Sequence, residues 1–204
     1  MSSFFPEPLK NGFIKLLNPI TSAFVKLNFH PNTFTVWGLI ITSISIIFYI
    51  EGDLVIAGIL VLVGGICDII DGKVARESGR VSKFGALFDS SIDRYSEVIM
   101  FFGVATFFVR ADDYLNSVAT FIALGGSTMV SYVRARAEGL GFDCKVGMLQ
   151  RPERIVFLGL GSIIGIDALK IAVWIVAIFA NITAIHRLTH IYKLDKKNKE
   201  VKES

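Results

Sequence analysis

Long apolar segments constrain this chain more than any other feature of its sequence. Examples are LVIAGILVLVGGIC at residues 54–67 and VIMFFGVATFFV at residues 98–109, which flank a more polar stretch. Hydrophobic residues make up 52% of the 204 positions, only 19% are charged, and the mean hydropathy is +0.58. These values exclude a soluble globular domain and predict an all-α integral membrane protein.

The apolar segments predict six transmembrane helices preceded by an N-terminal amphipathic helix at the membrane interface. The predicted spans cover, approximately, residues 32–50, 54–78, 82–109, 114–138, 152–166 and 168–192. Between about Leu9 and Phe29, apolar residues recur at helical spacing among lysines, which favours a helix on a lipid surface over one packed on a soluble surface. The chain then divides into an interfacial segment (1–30), a transmembrane domain (31–193) and a charged tail (194–204) that is expected to be disordered.

Basic residues are concentrated on one side of the predicted bundle. Six spans place both termini on the same side, and the segments there contain Lys10, Lys15, Lys26, Arg76, Arg80, Lys83, Arg134, Arg136, Lys145, Arg151 and Arg154. The turns on the other side offer only Arg110, among acidic residues. By the positive-inside rule, we expect a cell-membrane protein with both termini on the cytoplasmic side.

Four aspartates interrupt the apolar pattern where the second predicted span ends and the third begins. Asp68 and Asp71 are three residues apart and share a helix face, as do Asp89 and Asp93, which are four residues apart. A carboxylate at the centre of a membrane helix costs about 2.5 to 3.5 kcal/mol, so a cationic partner is expected. Two such faces brought together would offer hard oxygen ligands, which suit Mg²⁺, Mn²⁺ or Ca²⁺. By the same topology, this site would face the cytoplasm.

Small residues and a fixed cation accompany the acids. Gly72 and Gly85 lack side chains, so a bulky group can approach the backbone there. Arg76 adds a permanent positive charge that suits a phosphate better than a bare metal ion. The combination favours a phosphorylated ligand bound beside a metal.

The order and spacing of these residues are similar to those of a known enzyme family. The pattern Asp68-x2-Asp71-Gly72-x2-Ala75-Arg76-x8-Gly85-x3-Asp89-x3-Asp93 resembles the signature of the CDP-alcohol phosphotransferases, and the resemblance extends from about Pro31 to about Arg187. It implies transfer of a phosphatidyl-type group from a CDP-linked lipid to an alcohol, with release of CMP. It also implies two Mg²⁺ or Mn²⁺ ions held by the four aspartates, with Asp93 acting in addition as general base.

The resemblance further implies a binding site for the CDP-linked donor. The residues assigned to it are Pro31, Asn32, Thr35, Asp68, Gly72, Ala75, Arg76, Ser82 and Gly85. The first three form a Pro-Asn-x-x-Thr element similar to one that the family is thought to place near the nucleotide. Capping of the following helix explains the same element without any ligand, and both interpretations stay open.

One branch of the family resembles this chain in a second group of basic residues. SYVRARAEG at residues 131–139, followed by Arg151-Pro152-Glu153-Arg154, looks like the phosphatidylinositol phosphate synthases and their archaeal counterparts. That likeness implies an inositol phosphate acceptor whose phosphate is bound by Arg134, Arg154 and Arg187, and a CDP-diacylglycerol or CDP-archaeol donor. Glycerol 3-phosphate or serine is the alternative acceptor. Glu97 either extends the acidic face or pairs with a neighbouring cation.

A transporter and a purely structural membrane protein are the two rival functions. A divalent-cation transporter also needs intramembrane acids, but it gains nothing from fixed cations such as Arg76, Arg154 and Arg187. A purely structural membrane protein does not account for four acids at this spacing. No nucleic-acid partner is expected.

The small residues Gly103, Ala105, Gly125, Gly126 and Ser127 would permit the close helix packing of a homodimer, or they pack within one protomer.

Overall fold

The computed structural model describes residues 7–203, and this part of the chain contains helices as its only regular secondary structure. The seven helices described are α1 (Glu7–Lys26), α2 (Pro31–Glu51), α3 (Leu54–Glu77), α4 (Lys83–Arg110), α5 (Tyr114–Gly139), α6 (Arg151–Ile164) and α7 (Ile166–Glu203). Predictions for residues 1–6 and 204 lie outside the described residues. The all-α architecture is confirmed.

Local sequence sets where the helices begin. The imidazole of His30 accepts a hydrogen bond from the amide of Asn32 (3.3 Å), and Pro31 takes the first position of α2, where its missing N–H costs nothing. Asp53 and Ser82 cap α3 and α4 in the same way, each accepting from the amide three residues further on. The helix start predicted at Pro31 is therefore confirmed, and the entry of α2 into the bundle is fixed.

Helix α2 is the element that brings the two acidic helices together. It packs against both α3 and α4, which make few contacts with each other, while α6 packs on α3 and α7, and α5 packs on α4 and α7. Tyr49, Phe101 and Leu158 are among the large side chains of the resulting core. A Cβ atom added to Gly58 would lie 2.5 Å from the carbonyl oxygen of Gly159, so only glycine permits α3 and α6 to approach this closely.

Three of the described helices are long and apolar enough to cross a membrane. They are Pro31–Glu51, Leu54–Glu77 and the part of α7 from Ile166 to Glu200. Large apolar side chains such as Ile40, Ile47 and Ile178 are about half exposed on their outer faces, as expected for contact with lipid. Helix α6 has 14 residues, which at 1.5 Å per residue is about 21 Å. The fold is that of a membrane-integral helical bundle.

Helices lie at all the predicted spans, but two predictions about the last third of the chain are wrong. The break between the last two helices falls at Gly165, whose φ of +134° glycine adopts readily, and not at residue 167. The tail predicted to be disordered continues α7 to Glu203. Its lysines and glutamates are good helix formers, and an i,i+4 pair joins Lys199 to Asp195 at 2.9 Å.

Candidate active site

Three of the predicted acids converge where the second half of α3 faces the first half of α4. One carboxylate oxygen from each of Asp68, Asp71 and Asp89 lies within 4.8 Å of the other two. Asp71 is the most enclosed of the three, with 4% of its surface exposed. Helix periodicity placed each pair on one face, and the packing of both helices against α2 turns these faces towards each other.

Helix α2 also supplies a direct contact to the acids. Thr35 is buried on α2 and its hydroxyl donates a 2.7 Å hydrogen bond to Oδ2 of Asp71. The bond fixes the orientation of that carboxylate without neutralising it. Thr35 was predicted from its resemblance to a nucleotide-contacting element, and in the structure it lies against an acid of the cluster.

The fourth predicted acid is held by an arginine that the sequence did not assign to the site. The Nη1 atom of Arg151, at the start of α6, lies 2.7 Å from Oδ2 of Asp68 and 2.9 Å from Oδ1 of Asp93. Arg151 was counted among the basic residues of the cytoplasmic side and in the resemblance to one branch of the family, but no ligand was assigned to it. One sequence signal pointed to it: Arg151 and Arg154 both stand in the first turn of a helix, where the helix dipole disfavours cations.

The arrangement of the carboxylates suits a divalent metal ion. Oδ1 of Asp89 is buried and has no hydrogen-bond partner among the described residues. Four carboxylates gather here, and Arg151 is the only cation in direct ion-pair contact with them in the part of the chain described. A buried carboxylate oxygen without a partner is costly, and hard divalent cations prefer oxygen ligands.

A cavity of about 280 Å³ opens beside Asp71 and Asp89. Its lining includes these residues from the predicted donor site: Pro31, Asn32, Thr35, Gly72, Ala75, Arg76, Ser82 and Gly85. Asp68 is the one predicted donor residue that does not line this cavity, because it lies on the side of Arg151. Residues separated by more than fifty positions therefore surround one space, with two acids at its edge.

The two motif glycines and Arg76 shape this cavity. A Cβ atom on Gly85 would lie 2.9 Å from Oγ of Ser82, and one on Gly72 would lie 3.3 Å from Nη1 of Arg76. The Arg76 guanidinium is exposed and has no hydrogen bond or ion pair to any described residue. Arg80, by contrast, donates to the backbone of the turn between α1 and α2. Arg76 is thus the available cation of the cavity.

The three arginines predicted to bind the acceptor have different environments. Arg134 is exposed and pairs with Glu138 on its own helix at 2.8 Å. Arg154 is fully buried, and its Nη2 lies 2.6 Å from Oε1 of Glu97. Arg187 is buried on α7 and donates to two backbone carbonyl oxygens, at 2.8 and 2.5 Å. Glu97 therefore pairs with a neighbouring cation, one of the two alternatives its position left open.

These arginines are nevertheless close enough for their charges to interact. Arg187 lies within electrostatic range of Arg134 and Arg154, and Arg154 within that of Arg151 and Arg94, although Arg134 and Arg154 each also have an acidic partner. Cations that repel one another are stabilised by an anion placed among them. The structure thus brings the second basic group to the same end of the bundle as the acids.

Known proteins match this chain over most of its length. The family model of the CDP-alcohol phosphatidyltransferases matches residues 28–191. An archaetidylinositol phosphate synthase of Pyrococcus horikoshii is 41% identical over 175 residues, covering 84% of this chain and 88% of the relative. A phosphatidylinositol phosphate synthase of Mycobacteroides abscessus is 31% identical over 188 residues, covering 88% and 84% of the two chains.

Solved structures agree with the sequence relatives. The crystal structure of Mycobacterium tuberculosis phosphatidylinositol phosphate synthase with CDP-DAG bound superposes with a TM-score of 0.77 at 28% identity, over 86% of this chain and 92% of that chain. The same enzyme in complex with manganese and citrate gives 0.78 at 28% identity, over 85% and 88%. The chain belongs to the CDP-alcohol phosphatidyltransferase family, and with its apolar helices it is a multi-pass membrane protein.

Proposed function

We propose that this protein transfers a phosphatidyl or archaetidyl group from a CDP-linked lipid to a hydroxyl of an inositol phosphate, releasing CMP. The observation that carries the proposal is the cavity between α2, α3 and α4 with acids at its edge. The similarity to inositol phosphate synthases supports inositol phosphate as the acceptor, and the CDP-DAG complex of the similar mycobacterial enzyme supports a CDP-linked lipid as the donor.

The acids would hold divalent metal, for which we propose two Mg²⁺ or Mn²⁺ ions. Asp68, Asp71 and Asp89 are the proposed ligands, with Asp93 sharing in binding, and the manganese complex of the similar enzyme supports the metal class. Bound metal would neutralise the donor diphosphate and the charge that develops during transfer. The hydrogen bond from Thr35 would orient the Asp71 carboxylate for metal binding.

Asp93 is the proposed general base of the reaction. The acceptor hydroxyl forms a bond to the lipid-bearing phosphorus and gives its proton to the Asp93 carboxylate. The bond between that phosphorus and the bridging oxygen breaks, and the electron pair leaves with CMP. Asp93 lies one helical turn from Asp89, so the base and a proposed metal ligand share one face of α4.

The cavity would bind the nucleotide end of the donor. Gly72 and Gly85 leave room for the cytidine and phosphates close to the backbone, and Arg76 supplies charge-assisted hydrogen bonds. Pro31 and Asn32 border the opposite wall. The acceptor phosphate would bind among Arg134, Arg154 and Arg187, which lie within electrostatic range of one another.

We further propose that helices α2–α7 provide six spans within a transmembrane domain of residues 31–193, with α1 lying on the membrane surface. Leu16, Ile20 and Leu27 of the N-terminal segment are exposed apolar residues suited to lipid contact. Positive residues at the acidic end of the bundle favour the cytoplasmic side for that end and for both termini.

The direct test of the proposal is an assay of CMP release. Purified protein in mild detergent, with Mg²⁺, is given CDP-diacylglycerol or CDP-archaeol and, separately, inositol phosphate, free inositol, glycerol 3-phosphate and serine. We expect CMP release to depend on inositol phosphate. Release with glycerol 3-phosphate or serine instead would reassign the acceptor, and no release with any acceptor would contradict the proposed transfer.

Arg76 at the proposed donor site and the arginines at the proposed acceptor site should affect the KM values of different substrates. A hydrogen bond to a charged phosphate contributes roughly 1.5 to 3 kcal/mol, so we expect Arg134→Ala and Arg187→Ala to raise the KM for inositol phosphate about tenfold or more. The KM for the CDP-lipid should hardly change, whereas Arg76→Ala should raise it. Arg136→Ala, which removes an exposed cation from the same end of α5 as Arg134, is the matched control. Equal effects on both KM values would contradict this division.

The proposed homodimer is best tested at Gly125. Gly103 and Gly126 pack within the protomer against Tyr49 and Asn181, whereas a Cβ atom on Gly125 would meet no atom within 4 Å. We expect Gly125→Cys to form an intermolecular disulfide in native membranes under mild oxidation, and Ile40→Cys, at another exposed position on α2, not to do so. Monomer mass in mild detergent together with no crosslink at Gly125→Cys would contradict a dimer through this face.

A further inference from the structure

Two ion pairs one turn apart connect α6 to α4. Arg151 contacts Asp93, and Arg154 contacts Glu97. The arginines are three residues apart on α6, and the acids are four residues apart on α4. Neither helix packs closely on the other along its backbone, because α6 lies against α3 and α7 while α4 lies against α2 and α5. The arginine side chains therefore span a gap between the two helices.

The two pairs differ in how firmly they are held. Arg154 is fully buried, donates through Nε to Oε1 of Glu97, and donates through Nη1 to the carbonyl oxygen of Leu149. Its Nη2 lies 2.6 Å from the same Glu97 oxygen but forms no hydrogen bond with any described residue. Arg151 keeps 13% of its side chain exposed and uses one atom, Nη1, for both of its acids. Its Nε is buried without a hydrogen-bond partner among the described residues. Arg154 is therefore hydrogen-bonded through two of its nitrogens, to Glu97 and to Leu149, whereas Arg151 contacts its acids through a single nitrogen.

Asp68 belongs to both the Arg151 pair and the acid cluster. Its carboxylate is bound by Arg151 and is also one of the three that could coordinate a metal ion. A divalent cation and a guanidinium that share one carboxylate repel each other at short range, and this repulsion is weakly screened in a partly buried site. The two cations therefore compete for Asp68.

We propose that Arg151 is an exchangeable cation of the active site, which holds Asp68 and Asp93 together until a divalent metal binds and is then released from them. Arg151 is thus a positioning residue: before metal binds, it prevents Asp68 and Asp93 from separating by mutual repulsion. The proposal rests on the proposed function, since it concerns the same metal-dependent site.

The test measures Mn²⁺ affinity in the absence of substrates, by the loss of the free-ion electron paramagnetic resonance signal as purified protein is titrated. Removing the competitor in Arg151→Gln should tighten binding about tenfold or more, because hydrogen bonds to a charged partner no longer have to break. Arg151→Lys keeps a cation and should stay near wild type. Arg94→Gln is the matched control, since Arg94 acts on Asp89 through its charge but forms no ion pair with any described residue; we expect less than about a threefold change there.

Thermal unfolding provides a second readout that does not depend on turnover. Without metal, Arg151→Gln should unfold at a lower temperature than wild type, and saturating Mn²⁺ should raise its unfolding temperature by more than it raises that of wild type. Equal or weaker Mn²⁺ binding by Arg151→Gln, or an effect of Arg94→Gln as large, overturns the exchange. If neither wild type nor Arg151→Gln binds Mn²⁺, the metal site of the proposed function fails as well, which distinguishes the two failures.

Discussion

Asp71→Asn is expected to abolish lipid transfer, and Asp68→Asn and Asp89→Asn are expected to do the same. Each substitution keeps the side-chain shape but removes one negative charge from a cluster whose ligand oxygens lie within 4.8 Å of each other. Metal ions at phosphoryl-transfer sites contribute several kcal/mol of transition-state stabilisation, so the loss should be on the order of a thousandfold in kcat/KM. CMP release at saturating Mg²⁺ measures it.

A control at the opposite end of α4 distinguishes this effect from a general loss of charge. Asp112 is exposed in the turn after α4 with φ of +55°, a conformation that asparagine also tolerates, so Asp112→Asn should be fully active. EDTA should abolish CMP release by the wild type, and added Mg²⁺ or Mn²⁺ should restore it. Near-normal activity of any of the three cluster variants would contradict the assignment of that residue as a metal ligand.

The second large effect concerns stability. Glu97→Leu leaves the guanidinium of Arg154 buried without its partner, and breaking one member of a buried pair costs about 3 to 5 kcal/mol. For a chain of this size we expect the unfolding temperature in detergent to fall by roughly 10 °C. The double variant Glu97→Leu/Arg154→Met replaces both charges by apolar groups and should regain most of that loss.

The double variant also tests the assignment of Arg154 to the acceptor. Its fold should be intact, so a raised KM for inositol phosphate at an unchanged KM for CDP-lipid would reflect the missing guanidinium. An unchanged acceptor KM would leave Arg154 with a purely structural role beside Glu97. If Glu97→Leu unfolds at the wild-type temperature, the buried pair does not stabilise the bundle, and the packing of α6 alone holds it in place.

Most of the candidate site could be predicted because its residues are close in sequence. Asp68, Asp71, Gly72 and Arg76 lie within three turns of α3, and a period of 3.6 residues fixes which of them share a face. The caps and short turns also follow from local sequence, which is why the helix boundaries predicted up to α5 agree closely with the structure. The tail was mispredicted because its charge was taken as a sign of disorder, although lysine and glutamate favour helix.

The sequence by itself determined the helices, their acidic and basic faces, and the family to which the chain belongs. Only the tertiary structure decided which faces meet: that Arg151 reaches Asp68 across 83 positions, that Arg154 is sealed against Glu97, and that Thr35 touches Asp71. The physical reason is that backbone periodicity acts over a few residues, whereas the partner of a side chain on another helix depends on how whole helices pack. From the sequence, Arg154 was assigned to the acceptor phosphate and Arg151 had no assigned ligand. The packing of α6 against α3 and α7 places Arg151 on the acid cluster and buries Arg154 in the core.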